Sequence, residues 1–241
     1  MAEKPLIAIT GASSGIGEAT ARAFSAAGHP VLLMARRLDR LHALGLPNAV
    51  LRQVDVRDRA ALAKAVADAE AEHGSVDMMF ANAGIARLGD IGRQPPEDWD
   101  EMIDINTKGV MNSVHAVMSG MMARRRGTLV MMSSIAGRKV YPDHTVYCGT
   151  KFFVHAVSES LREYLAPHDV RVIVVSPGII DTEVLDGVRD ETTLASYKAN
   201  KQAIGGGISA DVVAKLILDA YELPQRAIVQ EIVITPTRQK Y

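Results

Sequence analysis

The sequence has almost no cysteine. Cys148 stands alone among 241 residues, so no disulfide can form within the chain, which fits a reducing compartment. Net charge is also nearly absent: 27 Lys and Arg against 28 Asp and Glu give −1 with His neutral. That balance draws neither nucleic acid nor an anionic membrane surface. No apolar run approaches the roughly 18 residues that a membrane helix needs. Met1-Ala2-Glu3-Lys4 leads straight into a strand-like segment with no signal-peptide core. These absences together predict a soluble, cytoplasmic protein with no nucleic-acid or membrane partner. No repeat, low-complexity tract or linker divides the chain, so residues 1–241 read as one domain, long enough to bury a large α/β core.

What the chain does contain is an alternation of short apolar runs and helical patterns. Leu6-Ile7-Ala8-Ile9 reads as a strand buried on both faces. Thr10-Gly11-Ala12-Ser13-Ser14-Gly15-Ile16-Gly17 follows, and then an Ala-rich helix from Glu18 to Ala27, closed by Gly28 and Pro30. A glycine turn between strand and helix lets the backbone approach a ligand. The helix start then offers free N–H groups and a positive dipole end to a pyrophosphate. Further strands are expected at Val31–Ala35, Ala49–Val54, Asp77–Ala81, Thr128–Met132, Val170–Val175 and Ala227–Thr235. Asp58 is placed to cap the helix after the third strand, and Pro95-Pro96 to start the one after the fourth. In a doubly wound sheet the ligand lies beyond the carboxyl ends of the strands. Gly11, Ala35, Asp55, Asn82 and the Ser133-Ser134 pair all fall at such ends and should line one crevice.

The second strand ends in Ala35-Arg36-Arg37, where NAD-binding folds often carry an acid for the ribose 2′-hydroxyl. Two guanidinium groups suit a 2′-phosphate instead. The plainer alternative is a solvated arginine pair opening a surface helix; the position favours the phosphate. Asn106, inside an otherwise helical stretch, marks either a kink with a freed carbonyl or a junction of two helices. Tyr147 and Lys151 stand four residues apart, on one helix face. An ammonium beside a phenol favours the phenolate, so the pair predicts a Tyr147 pKa below the usual value of about 10. The apolar face of that helix is expected to include Phe153, Ala156, Val157, Leu161 and Leu165, with Cys148 a packing residue. Residues 182–207, polar and ending in three consecutive glycines, read as an irregular, mobile substrate segment. His144 and His155 lack a second ligand at metal spacing, so no metal site is assigned.

Taken together, these motifs resemble the short-chain dehydrogenase/reductase family along the whole chain. The likeness rests on the glycine motif at residues 10–17, on Asn82-Ala83-Gly84, on Asn106, Ser134, Tyr147 and Lys151, and on Pro177-Gly178 with Thr182. It implies a Rossmann-type α/β fold: a doubly wound parallel sheet of seven strands in the order 3-2-1-4-5-6-7, flanked by helices on both faces. It also implies a homodimer or homotetramer. The activity implied is that of an NADP-dependent carbonyl reductase, an oxidoreductase interconverting a small-molecule carbonyl and an alcohol. Tyr147 would be the acid/base, Ser134 would hold the substrate oxygen, Lys151 the nicotinamide ribose, and Asn106 a proton route. NADP would be held by Gly11, Ser13, Ser14, Gly15, Ile16, Gly17, Arg36 and Arg37. Asp55 and Val56 would meet the adenine; Asn82, Ala83, Gly84, Pro177, Gly178, Ile180 and Thr182 would complete the site.

The stretch Ser133–Arg138 and the tail Glu231–Thr237 further resemble a branch with clavulanate dehydrogenase and bacterial serine and 3-hydroxy acid dehydrogenases. That branch handles small polar, carboxylate-bearing substrates. Ile135, Arg138, Tyr141, His144, Ile179 and Leu185 are the expected substrate-pocket residues, together with Ser134 and Tyr147. Arg138 and His144 either bind a substrate carboxylate or face solvent. The competing reading is a non-catalytic NADP-binding redox sensor or scaffold, which would have no physical need for all four of Asn106, Ser134, Tyr147 and Lys151.

Overall fold

The computed structural model describes residues 4–240. The expected leaderless start at Met1-Ala2-Glu3 lies outside them. Seven strands form one sheet: β1 (Leu6–Thr10), β2 (Val31–Ala35), β3 (Ala49–Gln53), β4 (Val76–Ala81), β5 (Gly127–Met132), β6 (Val170–Pro177) and β7 (Glu231–Ile234). Their order is β3-β2-β1-β4-β5-β6-β7, and every neighbouring pair is parallel. Every residue of β1, β2, β4, β5 and β6 is buried. That burial explains why these strands are continuous apolar runs rather than alternating ones. Parallel neighbours need crossover helices, and these cover both faces.

The pleat of β1 divides the core. Leu6 and Ala8 point to one face, where Leu62 and Val66 of α3 (Arg59–His73), Val114 and Met121 of α5 (Gly109–Ala123), and Val154 of α6 (Thr145–Leu165) pack. Ile7 and Ile9 point to the other, under Ala21 and Phe24 of α1 (Gly15–Ala26) and Val213 and Ile217 of α8 (Ala210–Glu222). Asp58 caps α3, its side chain accepting from Ala61 N at 2.9 Å. No helix among the described residues is long and apolar enough to cross a membrane.

Four local expectations change. First, α1 begins at Gly15, so the glycine turn runs directly into the first helical turn. Second, β7 is confined to Glu231–Ile234, because Ala227 is still held in a turn by its N–H to Pro224 O. Third, the inward face of α6 is the expected one shifted towards Val154 and Ser158, with Phe153 and Leu161 packed at its margin and Ala156 left outside. Lys151, Val154, Ser158 and Leu165 are buried, Phe153, Val157 and Leu161 are partly so, and Ala156 is exposed. Fourth, residues 182–207 are not irregular throughout. After a short turn, Glu183–Leu185, they form the 13-residue helix α7 (Glu191–Ala203). Asp190 caps it by accepting from Thr193 N at 2.9 Å. Thr193 is its one buried residue, so the helix has no apolar stripe by which to be recognised.

Asn106 lies in a single π-turn, Asp104–Lys108, joining α4 (Pro96–Ile103) to α5. Such turns are frequent at functional sites.

Candidate active site

The carboxyl ends of β1, β2, β4, β5 and β6 open on one crevice of about 590 Å³, well within the size range of cofactor and ligand sites. The β1–α1 turn forms its floor. Gly11 and Gly15 have φ of +66° and +56°, a region that L side chains rarely adopt. A side chain at Gly17 would collide with the Gly11 carbonyl and with Asn82 Nδ2. Asn82 ties the β4 end to this turn: Nδ2 donates to Thr10 O at 3.0 Å, and the Asn82 N–H donates to Thr10 Oγ1 at 3.1 Å. No side chain caps the first turn of α1, so its N–H groups and positive dipole end remain available to an anion.

The two arginines after β2 diverge. Arg37 Nη2 donates to Ser13 Oγ and Ser14 Oγ at 3.2 and 3.0 Å. Its Nη1 lies 3.4 Å from Glu183 Oε2, and Arg40 Nη1 lies 2.6 Å from the same oxygen. Glu183 thus reaches across the mouth of the crevice from the turn after β6. The two guanidiniums hold its carboxyl below the usual range, chiefly through the Arg40 hydrogen bond. Arg36 also lines the crevice. Asp55, expected to meet the adenine, is gripped by Arg57, whose Nη2 donates at 2.6 Å and whose backbone N–H donates at 3.0 Å. The Arg57 hydrogen bond lowers the Asp55 pKa.

At the other end of the crevice stand Ser134, Tyr147 and Lys151, with Asn106 behind them. Ser134 caps the short turn Ile135–Gly137: its Oγ accepts from Ala136 N at 3.1 Å and donates to Pro177 O at 3.4 Å. It also acts on the Tyr147 phenol, favouring its charged form. Lys151 Nζ donates to Met132 O at 3.0 Å and lies 5.6 Å from the Tyr147 ring centre. Asn106 accepts from Ile85 N at 2.9 Å, donates to Ile85 O at 2.9 Å, and donates to Thr150 Oγ1 at 3.2 Å. It thereby fixes the loop after Gly84 to the helix that carries Tyr147.

The phenol does not behave as the Tyr–Lys spacing predicts. Part of the Tyr147 ring forms crevice wall, yet burial pushes its pKa above the ordinary value, and Ser134 only partly opposes this. Lys151 is 4% exposed, and burial lowers its pKa from 10.5 to about 8. Desolvation penalises both charged forms, and a periodicity argument contains no desolvation.

The Pro177–Thr182 loop closes this end. Gly178 N donates to Ile234 O at 2.8 Å, and Gln239 Oε1 accepts from Ile179 N at 2.9 Å. A side chain at Gly178 would strike Gln239, so the bare position admits the C-terminal tail to the site.

Comparison with known proteins now adds the decisive observation. The sequence profile of the short chain dehydrogenase family matches residues 5–193. The chain belongs to the short-chain dehydrogenase/reductase family. It is 34% identical to an oxidoreductase of Staphylococcus saprophyticus, over 97% of this chain and 96% of that one. It is 38% identical to the NADP-dependent 3-hydroxy acid dehydrogenase YdfG of Salmonella typhi, over 76% of each. Among solved structures, serine dehydrogenase complexed with NADP+ superposes with a TM-score of 0.90 at 32% identity, covering 98% of this chain and 96% of that one.

In this dehydrogenase, Ile135, Tyr141, His144, Ile179 and Leu185 all line the crevice as expected. Arg138 does not. Its guanidinium is ion-paired to Glu231 on β7, on the outer side of the Ile135–Gly137 turn. Of the two readings offered for Arg138, neither a carboxylate in the crevice nor bare solvent describes its place here. His144 Nδ1 is bound to Asp143 Oδ1 at 2.6 Å, and its ring sits 6.3 Å from that of Tyr147. Among the lining residues that went unrecognised in the sequence, Arg87, Glu183, Tyr197, Asn200 and Gln239 bring polar side chains. Tyr197 and Asn200 come from α7, and its cap, Asp190, was the available signal. Tyr197 is near enough to act electrostatically on Tyr147, and its own pKa is pushed up to about 12, first by burial and then by Asp181. Among the described residues no group of His, Cys, Asp or Glu side chains is arranged to hold a metal ion.

Proposed function

We propose that this dehydrogenase catalyses reversible hydride transfer between NADP(H) and the carbonyl or alcohol carbon of a small polar aldehyde, ketone or 3-hydroxy acid. The observation that carries the reading is the meeting of Ser134, Tyr147 and Lys151 at one end of a crevice whose other end is a glycine turn and an arginine pair. The cradle fits a dinucleotide because Gly15 takes a positive φ, only a hydrogen fits at Gly17, and the first turn of α1 can receive a diphosphate. The cofactor supplies the hydride. Ser13, Ser14, Ile16, Arg36 and Arg37 would hold its phosphates. Asp55 and Val56 would hold the adenine, and the Asn82–Gly84 and Pro177–Thr182 segments the nicotinamide end.

In the reducing direction Ser134 Oγ and the Tyr147 hydroxyl both donate to the substrate oxygen, and Tyr147 gives up its proton as that oxygen gains charge. Lys151 replaces field and proton, with Asn106 holding the backbone around it. Ile135, Ile179 and Leu185 form apolar walls, and His144 and Arg87 supply the polar contacts on the substrate side. Arg87 is partly neutralised by Glu101 at 3.0 Å. The names of the relatives support a substrate bearing a hydroxyl next to a polar group. Following nicotinamide absorbance across aldehydes, ketones and 3-oxo acids tests the reading. Silence with tight NADPH binding would overturn it.

For the cofactor, Arg36 is the discriminating residue. Arg37 and Arg40 already face Glu183, whereas Arg36 makes no ion pair among the described residues. A charge-assisted hydrogen bond to a phosphate is worth about 1.5–3 kcal/mol. Arg36→Gln should therefore cut the NADPH-over-NADH ratio of kcat/KM by roughly tenfold to hundredfold. An NADH preference in the unaltered enzyme would reverse the assignment.

The whole of 1–241 acts as one dinucleotide-binding domain in this reading, in the cytoplasm, as a homodimer or homotetramer. The exposed apolar side chains Ile103 on α4 and Phe152 on α6 support association with a second copy. Light scattering on the purified chain measures the state, and a monomer at all concentrations would refute it.

A further inference from the structure

The tail after β7 returns to the crevice. Gln239 N donates to Pro236 O at 2.8 Å, so the chain turns once beyond the strand. That turn seats Gln239 on the Pro177–Thr182 loop, where its Oε1 accepts from Ile179 N at 2.9 Å and Ile234 O accepts from Gly178 N at 2.8 Å. A side chain at Gly178 would meet Gln239 Oε1 and Cδ, so the amide group itself rests on that residue. Gly178 has no positive φ to require glycine; what its bare Cα provides is room for the tail. The loop also borders the reacting end, since Pro177 O accepts from Ser134 Oγ at 3.4 Å. Gln239, Ile179, Ser134 and Tyr147 line the same crevice. The proposed chemistry uses the last three and leaves Gln239 without a role.

A primary amide has one accepting atom and one donating atom, and the partner of either settles both. Ile179 N–H only donates, so the atom that meets it is the oxygen. The nitrogen then occupies the other arm of the planar group, and among the described residues nothing accepts from it. We propose that Gln239 is a substrate-binding residue: Oε1 fixes the side chain to Ile179, and Nε2 donates to a carboxylate oxygen of a 3-hydroxy acid whose carbinol carbon lies at Tyr147. The inference rests on the reductase function proposed above and narrows its substrate. Arg138, one of the side chains considered for a carboxylate, is ion-paired to Glu231. Arg87 and His144 line the crevice, but each already meets an acid, Glu101 at 3.0 Å and Asp143 at 2.6 Å. The Gln239 amide therefore adds a donor that no acidic side chain occupies, and it does so without bringing another charge into the crevice.

The test compares Gln239→Glu with Gln239→Met in the full chain. Glu keeps an oxygen for Ile179 N, and so keeps the seat, but turns the donor into an anion. Met fills the space and loses both bonds. The probes are 3-hydroxybutyrate and 2-butanol, which share the reacting carbinol and differ in the carboxylate. In the Glu variant the ratio of kcat/KM for acid over alcohol should fall roughly tenfold to hundredfold, the range of a hydrogen bond to a charged group. The fall should come chiefly through KM, with the Kd for NADPH unchanged. Met should lose less than Glu on the acid, although Glu alone retains the Ile179 bond; a merely structural role would reverse that order. A second readout needs no turnover: calorimetric titration of the NADPH-loaded protein with 3-hydroxybutyrate, where no hydride can move, should rank wild type tightest and Glu weakest. The idea is overturned by a Glu variant that matches wild type on the acid, or by a Met variant that loses more than Glu. It is equally overturned if NADPH affinity falls while the acid-over-alcohol ratio holds, which would place Nε2 on the cofactor, or if the wild type binds no acid. The expected calorimetric order in a chain that turns over no substrate would sink the reductase reading alone.

Discussion

Tyr147→Phe should lower turnover by about 10³-fold or more while leaving NADPH affinity within about twofold, because a positioned general acid contributes roughly 10²–10⁴-fold. The substitution removes one oxygen and keeps the ring, so the contact with His144 and the wall of the crevice persist. None of the groups that cradle phosphate touches the phenol: those lie on the β1–α1 turn and after β2. Ser134 retains Ala136 N and Pro177 O as partners, so the serine alone should account for the residual rate. A fluorescence titration beside a single-turnover assay separates the two quantities. Substantial turnover in the Phe variant would remove Tyr147 from its assigned role.

The raised phenol pKa adds a pH signature whose sign follows from direction alone. Burial favours the protonated form. Reduction needs the proton on Tyr147, so its rate should hold steady through neutral and mildly alkaline pH. Oxidation of the alcohol needs the phenolate, so its rate should climb across the same window without reaching a plateau. A reductive rate that falls off near neutral pH would mean that the phenol is depressed, as the Tyr–Lys spacing by itself suggests.

That contrast defines what sequence pattern can reveal here. Motifs that express backbone requirements were legible. The strand–glycine–helix order foretold the crevice floor, because a turn that collides with any side chain at Gly17 must be written in glycine. The sheet order was expected and is found; Ser134, Tyr147 and Lys151 line the crevice, while Asn106 is fully buried behind them. Properties set by three-dimensional partners were not legible. Arg138 looked available for a carboxylate because Glu231, its partner, lies 93 residues further along. Helix α7 was hidden by its exposure, since a helix with one buried residue writes no period into the sequence. Gln239 reaches the active-site loop from the far end of the chain, and only the collision at Gly178 reveals it. The tyrosine pKa failed for a related reason: spacing reports the charge beside a group and says nothing of the water removed from around it.

Lys151→Met should make the protein more stable and nearly inactive. The ammonium is almost wholly buried, and Met132 O at 3.0 Å is its hydrogen-bond acceptor on the protein. Burial lowers its pKa from 10.5 to about 8. At neutral pH that corresponds to roughly 3 kcal/mol of folding free energy lost to holding the charge inside. The unfolded chain keeps this proton up to about pH 10.4, the folded chain only to about 8. Between those values the unfolded state binds more protons, so this group's contribution to stability rises with pH; below about 8 its penalty is constant. Methionine has similar length without the charge. The variant should melt roughly 6–12 °C higher at pH 7, given about 2–4 °C per kcal/mol for a chain of this size. The gap from the unaltered protein should narrow steadily above pH 8 and close near 10. Turnover should fall by about 10²-fold or more, since neither the phenol nor a ribose then meets a cation. Melting curves of both proteins across that pH range decide the matter. A variant less stable at pH 7, or a gap that widens with pH, would mean that the ammonium is held by stabilising partners and that the site carries no such strain. The expected outcome makes Lys151 a charge retained against the stability of the fold, which is the trade a preorganised active site makes.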